Sequence, residues 1–145
     1  MKYISHRGNT IGPKPLVEND PAYVRNTLQM GFDVEVDVWS VNKNYFLGHD
    51  SPKYIVKEVF LENDKFWCHA KNFEAFERML KNTKIHCFWH QDDDFTLTSR
   101  GAIWTYPGKN IGPKSVMAIP ETEYKIKDIK NLNCFGVCSD HVMDL

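Results

Sequence analysis

The chain has 145 residues, 42% hydrophobic and 13% aromatic, which suits one globular domain over residues 1–145 and leaves little room for a second. Lys and Arg number 18 against 19 Asp and Glu, a formal net charge of -1, so there is neither a global basic field for nucleic acid nor an acidic excess arguing disorder. No apolar run approaches the ~20 residues that span a bilayer, and the first residues go straight into a Lys2-to-Gly8 segment without the apolar core of a signal peptide.

Tyr3 to Ser5 reads as a short strand that ends on His6, Arg7 and Gly8, placing an imidazole and a guanidinium at its carboxyl end. After a proline-containing loop, Asp20 before Pro21 predicts an N-cap with proline at the first helical position, and the helix stops at Gly31. The stretch Asp33 to Val38 then alternates Asp33, Glu35 and Asp37 with Val34, Val36 and Val38. In a strand the acids share one face and the valines the other. A solvated acidic face is one reading of that pattern. A bound divalent cation that relieves the repulsion among the carboxylates is the other. A turn at Asn42 to Asn44 predicts a hairpin whose second strand delivers His49 and Asp50.

Further along, Lys65 to Lys71 predicts a strand with Trp67, His69 and Lys71 on one face and Phe66, Cys68 and Ala70 on the other. Phe73 to Lys84 predicts a helix with Phe73, Phe76, Met79 and Leu80 on a core-facing stripe. Strands follow at Ile85 to His90, Gly101 to Tyr106, Val116 to Ile119 and Phe135 to Ser139. Cys68, Cys87, Cys134 and Cys138 form no Cys-x-x-Cys pair and lie mostly in apolar runs, as buried reduced thiols do; a cytoplasmic setting is expected.

Seven or eight short strands thus alternate with helices or compact loops, and polar side chains gather at the strand ends. That is the pattern of an α/β chain forming an abbreviated TIM-type (β/α) barrel, with several helices reduced to loops because a full barrel takes about 250 residues.

His6-Arg7-Gly8, Glu18-Asn19, Glu35-Val36-Asp37-Val38 and His49-Asp50 together resemble the opening of the glycerophosphodiester phosphodiesterase family, within the phospholipase C-like phosphodiesterase superfamily. Ile103-Trp104-Thr105 and the Gly136-to-Asp140 segment resemble its closing motifs. The resemblance is specific over the first fifty residues. It implies a barrel fold, with His6 and His49 as an acid–base pair and Glu35 and Asp37 as ligands of a divalent cation (magnesium, calcium, manganese or zinc). It also implies Arg7 and Lys71 as phosphate contacts. Where the family has Glu-x-Lys on the third strand, this chain has His69-Ala70-Lys71, so His69 stands in a metal ligand's place; imidazole suits zinc or manganese better than calcium.

The expected activity is metal-assisted hydrolysis of a glycerophosphodiester or a related small phospholipid-derived head group, in lipid metabolism. Arg7, Lys71 and the cation would neutralise the phosphate while the two histidines move protons. Two alternatives stand beside it: a metal-independent lyase that cyclises its substrate, and a non-catalytic phosphate-binding barrel. The expected partner is a small phosphodiester, with no nucleic acid and no transmembrane segment.

Overall fold

A computed structural model describes all 145 residues. Its ten strands join in one mixed sheet. β1 (Lys2–His6) leads through α1 (Pro21–Gln29) to β2 (Asp33–Val41). A hairpin, β3 (Asn44–Leu47) and β4 (Tyr54–Val56), precedes the one-turn helix α2 (Glu58–Leu61). β5 (Phe66–Ala70), α3 (Phe73–Lys81), β6 (Cys87–Trp89) and β7 (Phe95–Leu97) follow. The chain closes with β8 (Ile103–Thr105), β9 (Ser115–Ala118), the one-turn helix α4 (Ile126–Ile129) and β10 (Gly136–Ser139).

Seven strands run parallel in the order β6, β5, β2, β1, β10, β9, β8. The β3–β4 hairpin and β7 add antiparallel edges. The sheet curls until β6 faces the β7–β8 hairpin. No ladder forms across that seam; Ser99 bridges it, its N–H donating to the Cys87 carbonyl at 2.8 Å and its hydroxyl accepting from the Cys87 N–H at 3.0 Å.

The curled mixed sheet corrects the expectation of a TIM-type (β/α) barrel. Only α1 and α3 are more than single turns, and antiparallel strands occupy two of the connections, β3 and β4 between β2 and β5 and β7 between β6 and β8. The local reason is plain between β8 and β9, where residues 106–114 carry Pro107, Gly108, Gly112 and Pro113, a run that cannot sustain a helix. β4 and β7 are further strands that the sequence pattern does not predict.

Side-chain alternation divides the core into two layers. Outward, Val24, Val34, Val36, Phe66, Ala75 and Met79 pack the sheet against α1 and α3. Inward, Ile4, Trp67, Phe88, Trp104, Val116 and Cys138, from six strands, fill the curl. β2 is therefore buried on both faces: Glu35 is 2% exposed and Asp37 fully buried, which removes the solvated reading of its acidic face. The three acids do not act as one group, because Asp33 turns to the opposite end of the curl and pairs with Lys2 Nζ at 2.8 Å and Trp67 Nε1 at 3.0 Å.

The N-cap of α1 is as the sequence predicts, Asp20 accepting from Ala22 N and Tyr23 N. α3 ends at Lys81 and leaves Phe73 largely exposed, so the expected apolar stripe is shorter than read. All four cysteines are free, three of them buried. No helix is long and apolar enough to cross a membrane.

Candidate active site

The carboxyl ends of the parallel strands open into a cavity of about 560 Å³. His6, Arg7, Glu35, His49, His69 and Lys71, six of the seven residues expected from the sequence, line it. Asp37, the seventh, sits just beneath and ties the others together. Register explains the arrangement: Asp37 is paired with His69 across β2 and β5, and Glu35 with His6 across β2 and β1.

Asp37 is held from all sides. Asn19 donates to its Oδ2 at 3.0 Å and accepts from its backbone N–H at 2.9 Å. Arg7 Nε lies 3.0 Å from the same oxygen, while His69 Nδ1 and Lys71 Nζ lie 3.2 and 3.6 Å from Oδ1. Burial alone would raise its pKa, but His69, Arg7 and Lys71 outweigh burial and hold the carboxyl well below the usual range. Arg7 reaches this position in a left-handed backbone conformation, φ 56°, a strained choice for a residue with a long side chain. Gly8 beside it, φ 95°, allows the turn, since a Cβ there would lie 2.8 Å from the Tyr23 ring. Arg7 Nη1 also donates to Glu18 at 3.3 Å, which leaves Nη2 for an anion.

His69 Nε2 donates to the His90 carbonyl at 2.8 Å, while Asp37 Oδ1 at 3.2 Å and Glu35 Oε1 at 3.6 Å lie beside Nδ1 at ion-pair distance, outside hydrogen-bond geometry. Burial opposes its charge, but the two carboxylates prevail and raise its pKa to about 9. The same three residues suit a divalent cation. Their ligand atoms lie within 4.8 Å of one another, and Glu35 Oε2 is buried with no hydrogen-bond partner. The Nε2–His90 bond is the outer contact that would orient an imidazole ligand.

The two candidate acid–base residues share one motif. His6 Nδ1 lies 2.8 Å from Asp140 Oδ1, and His49 Nδ1 lies 2.7 Å from Asp50 Oδ1, so in each ring Nε2 is left for a substrate. Burial works against the charged form of His6, yet Asp140 and Glu35 overcome it and its pKa is raised. Asp140 is lowered in return, chiefly by His6 against its own burial. Asn9 donates to Asp140 at 2.7 Å and to Glu18 at 2.8 Å, and Glu121 accepts from the Asp140 N–H at 2.8 Å. His49 is placed by the β3 hairpin: Gly48 N–H donates to the Asp37 carbonyl at 3.1 Å, and Trp39 Nε1 donates to the Gly48 carbonyl at 2.7 Å. Gly48 has φ 151°, and a Cβ there would run into the Ser51 carbonyl oxygen.

Asp140, Asn19, Asn9, Glu121 and His90 are site residues that the sequence reading did not assign. Asp140 and Glu121 carried a usable signal, as acids directly after strands; the roles of Asn9 and His90 emerge only in three dimensions. A second cleft of about 410 Å³, lined by Pro13, Pro15 and Lys53 among others, shares His6, Arg7 and His49 with the first. No protein-family model, curated protein or solved structure matches this chain.

Proposed function

We propose that this protein is a metal-assisted phosphodiester hydrolase acting on a glycerophosphodiester or a related small phospholipid-derived head group. The observation that carries this reading is the pair of carboxylate-held histidines lining one cavity with Arg7 and Lys71. Arg7 Nη2 and Lys71 Nζ bind the phosphate. His6, held through Nδ1 by Asp140, which favours its charged form, gives its Nε2 proton to the leaving oxygen. His49 takes the proton of the attacking water. A divalent cation held by Glu35, Asp37 and His69 would add positive charge against the phosphate oxygens. The free cysteines and the near-neutral net charge support a cytoplasmic enzyme with a small-molecule substrate rather than nucleic acid.

One observation favours a second reading. With a carbonyl accepting from Nε2 and two carboxylates at ion-pair distance from Nδ1, His69 suits the doubly protonated imidazolium, a cation built in between Glu35 and Asp37. In that form the chain works without metal, and a neighbouring hydroxyl of the substrate attacks the phosphorus to leave a cyclic phosphate. Metal content of the purified protein, turnover with and without chelator, and phosphorus NMR of the product separate the two. Bound metal, chelator-sensitive turnover and an open phosphomonoester are expected. Chelator-resistant formation of a cyclic phosphate contradicts the first reading and establishes the second. A protein that turns over no diester with any cation supplied contradicts both.

A further inference from the structure

The strand that delivers Asp140 ends in an exchange of hydrogen-bond partners. β9 and β10 are in register from Val116 opposite Gly136 to Ala118 opposite Cys138, and the Ile119 N–H adds one more bond, to the Cys138 carbonyl at 2.7 Å. In a parallel ladder the same residue also accepts on its own carbonyl, from the N–H two positions further along the partner strand. Here that donor is Asp140. β2 and β5 end in that way, the Lys71 N–H reaching the Val38 carbonyl at 2.8 Å. At Ile119 the bond is missing. Its backbone turns left-handed, φ 43° and ψ 56°, and its carbonyl accepts from Thr122 instead, the N–H at 3.2 Å and the hydroxyl at 2.8 Å. The Asp140 N–H goes to Glu121 Oε1 at 2.8 Å.

The exchange is costly twice over. A β-branched residue in the left-handed region is strained, and Glu121 Oε2 is buried with no hydrogen-bond partner. Continuing the strand by one extended residue would avoid both costs. Strain and unmet polar groups of this kind gather where a functional side chain has to be aimed.

What the turn supplies is a carboxylate where the ladder would have had a carbonyl, and a charged acceptor makes the stronger bond. Glu121 fixes the N–H of Asp140, and the Gly12 N–H fixes its carbonyl at 2.8 Å. With the backbone held at both ends the side chain leaves in one direction, and its Oδ1 meets His6 Nδ1 at 2.8 Å and Asn9 Nδ2 at 2.7 Å. Glu121 itself lines neither cleft, so it acts on the reaction only through Asp140.

We propose that Glu121, presented by the left-handed turn at Ile119, is a positioning residue for proton transfer: it holds the Asp140 backbone so that the carboxylate keeps a proton on His6 Nδ1 and leaves Nε2 to the substrate. The assignment rests on the phosphodiesterase reading for the reaction it serves, but one arm of its test needs no turnover.

The His6 ring proton and steady-state kinetics on glycerophosphodiesters test it in three variants. In the wild type the Nδ1–H of His6, donating to Asp140, should give a proton resonance far downfield in the NMR spectrum. Glu121→Asp keeps the charge but falls one methylene short, and Glu121→Ala removes the acceptor. Both should lose that resonance and lower kcat about tenfold, the worth of one hydrogen bond to a charged group, with KM changed less than about twofold because Arg7 and Lys71 still bind the phosphate. Glu121→Gln keeps an accepting oxygen in place and should keep the resonance and most of the turnover. If Glu121→Ala does not fold, Glu121→Asp and Glu121→Gln decide alone. A wild type without the resonance, a resonance and kcat unchanged in Glu121→Asp, a Glu121→Gln as poor as Glu121→Asp, or a loss carried by KM overturns the assignment. Loss of the resonance in Glu121→Asp and its return in Glu121→Gln, in a protein that cleaves no diester, upholds the positioning and overturns the enzyme; diester cleavage with the resonance intact in every variant does the reverse.

Discussion

The two histidines of the site are held by the same contact in opposite surroundings. Asp140, behind His6, is mostly buried, with 14% of its side chain exposed, and is fixed by Asn9 and by Glu121. Asp50, behind His49, is 94% exposed and has no other side-chain partner. A carboxylate inside a network keeps its imidazole in one tautomer and orientation at little further entropic cost. An exposed pair is weakened by water and salt and has to be ordered when substrate arrives. Preorganisation therefore belongs to the His6 side, and adaptability to the hairpin that carries His49.

That contrast predicts unequal consequences for equal chemistry. Asp140→Asn should lower turnover about 10²-fold or more, approaching the loss of the general acid itself, because His6 loses both its tautomer and its raised pKa. Steady-state rates across pH check this, with the alkaline limb of the wild-type profile moving to lower pH in the variant.

Stability should divide along the same line. Asp37 is fully buried among Arg7, His69, Lys71 and Asn19, so Asp37→Asn leaves buried cations uncompensated and should cost about 3–5 kcal/mol in chemical denaturation.

A smaller effect follows from His69. Its folded-state pKa, about 9, lies above the ordinary 6.5, so the stability it supplies is fully present below about pH 6.5 and is lost as pH rises through 9. The metal-free wild type should lose on the order of 2–3 kcal/mol across that window, and His69→Gln should show a flatter curve. Denaturation midpoints at pH 6 and 9.5 give the comparison.

Smallest of all is Asp50→Asn, which should change stability by less than ~0.5 kcal/mol and turnover by only a few-fold. If Asp50→Asn matches Asp140→Asn in turnover, the contrast between the two sides is broken.

Features set by neighbouring residues were legible in the sequence, and features set by distant ones were not. The Asp20 cap, the two faces of Lys65 to Lys71 and the hairpin turn at Asn42 and Lys43, φ 50° and 64°, depend on local periodicity and turn chemistry. The acids of β2 could be grouped on one face, but not known to lie inside a curled sheet, because alternation alone does not say which face is wet. β4 and β7 are three residues long and too short to carry a period. The shortage of helices has no local signature, because parallel strands ordinarily need crossover helices, whereas this chain uses loops and antiparallel strands. Asp140 meets His6 across 134 positions, and His90 meets Tyr106 only because the sheet curls.

The central claim is that His6 and His49 serve one proton-transfer cycle, and a double-replacement cycle on glycerophosphodiester turnover tests it most directly. His6→Gln and His49→Gln should each lower turnover about 10²–10⁴-fold, and the double variant should be little worse than the poorer single one, since either loss already stops the cycle. Single variants that turn over at the wild-type rate, or a double variant whose loss equals the product of the two, would contradict the account.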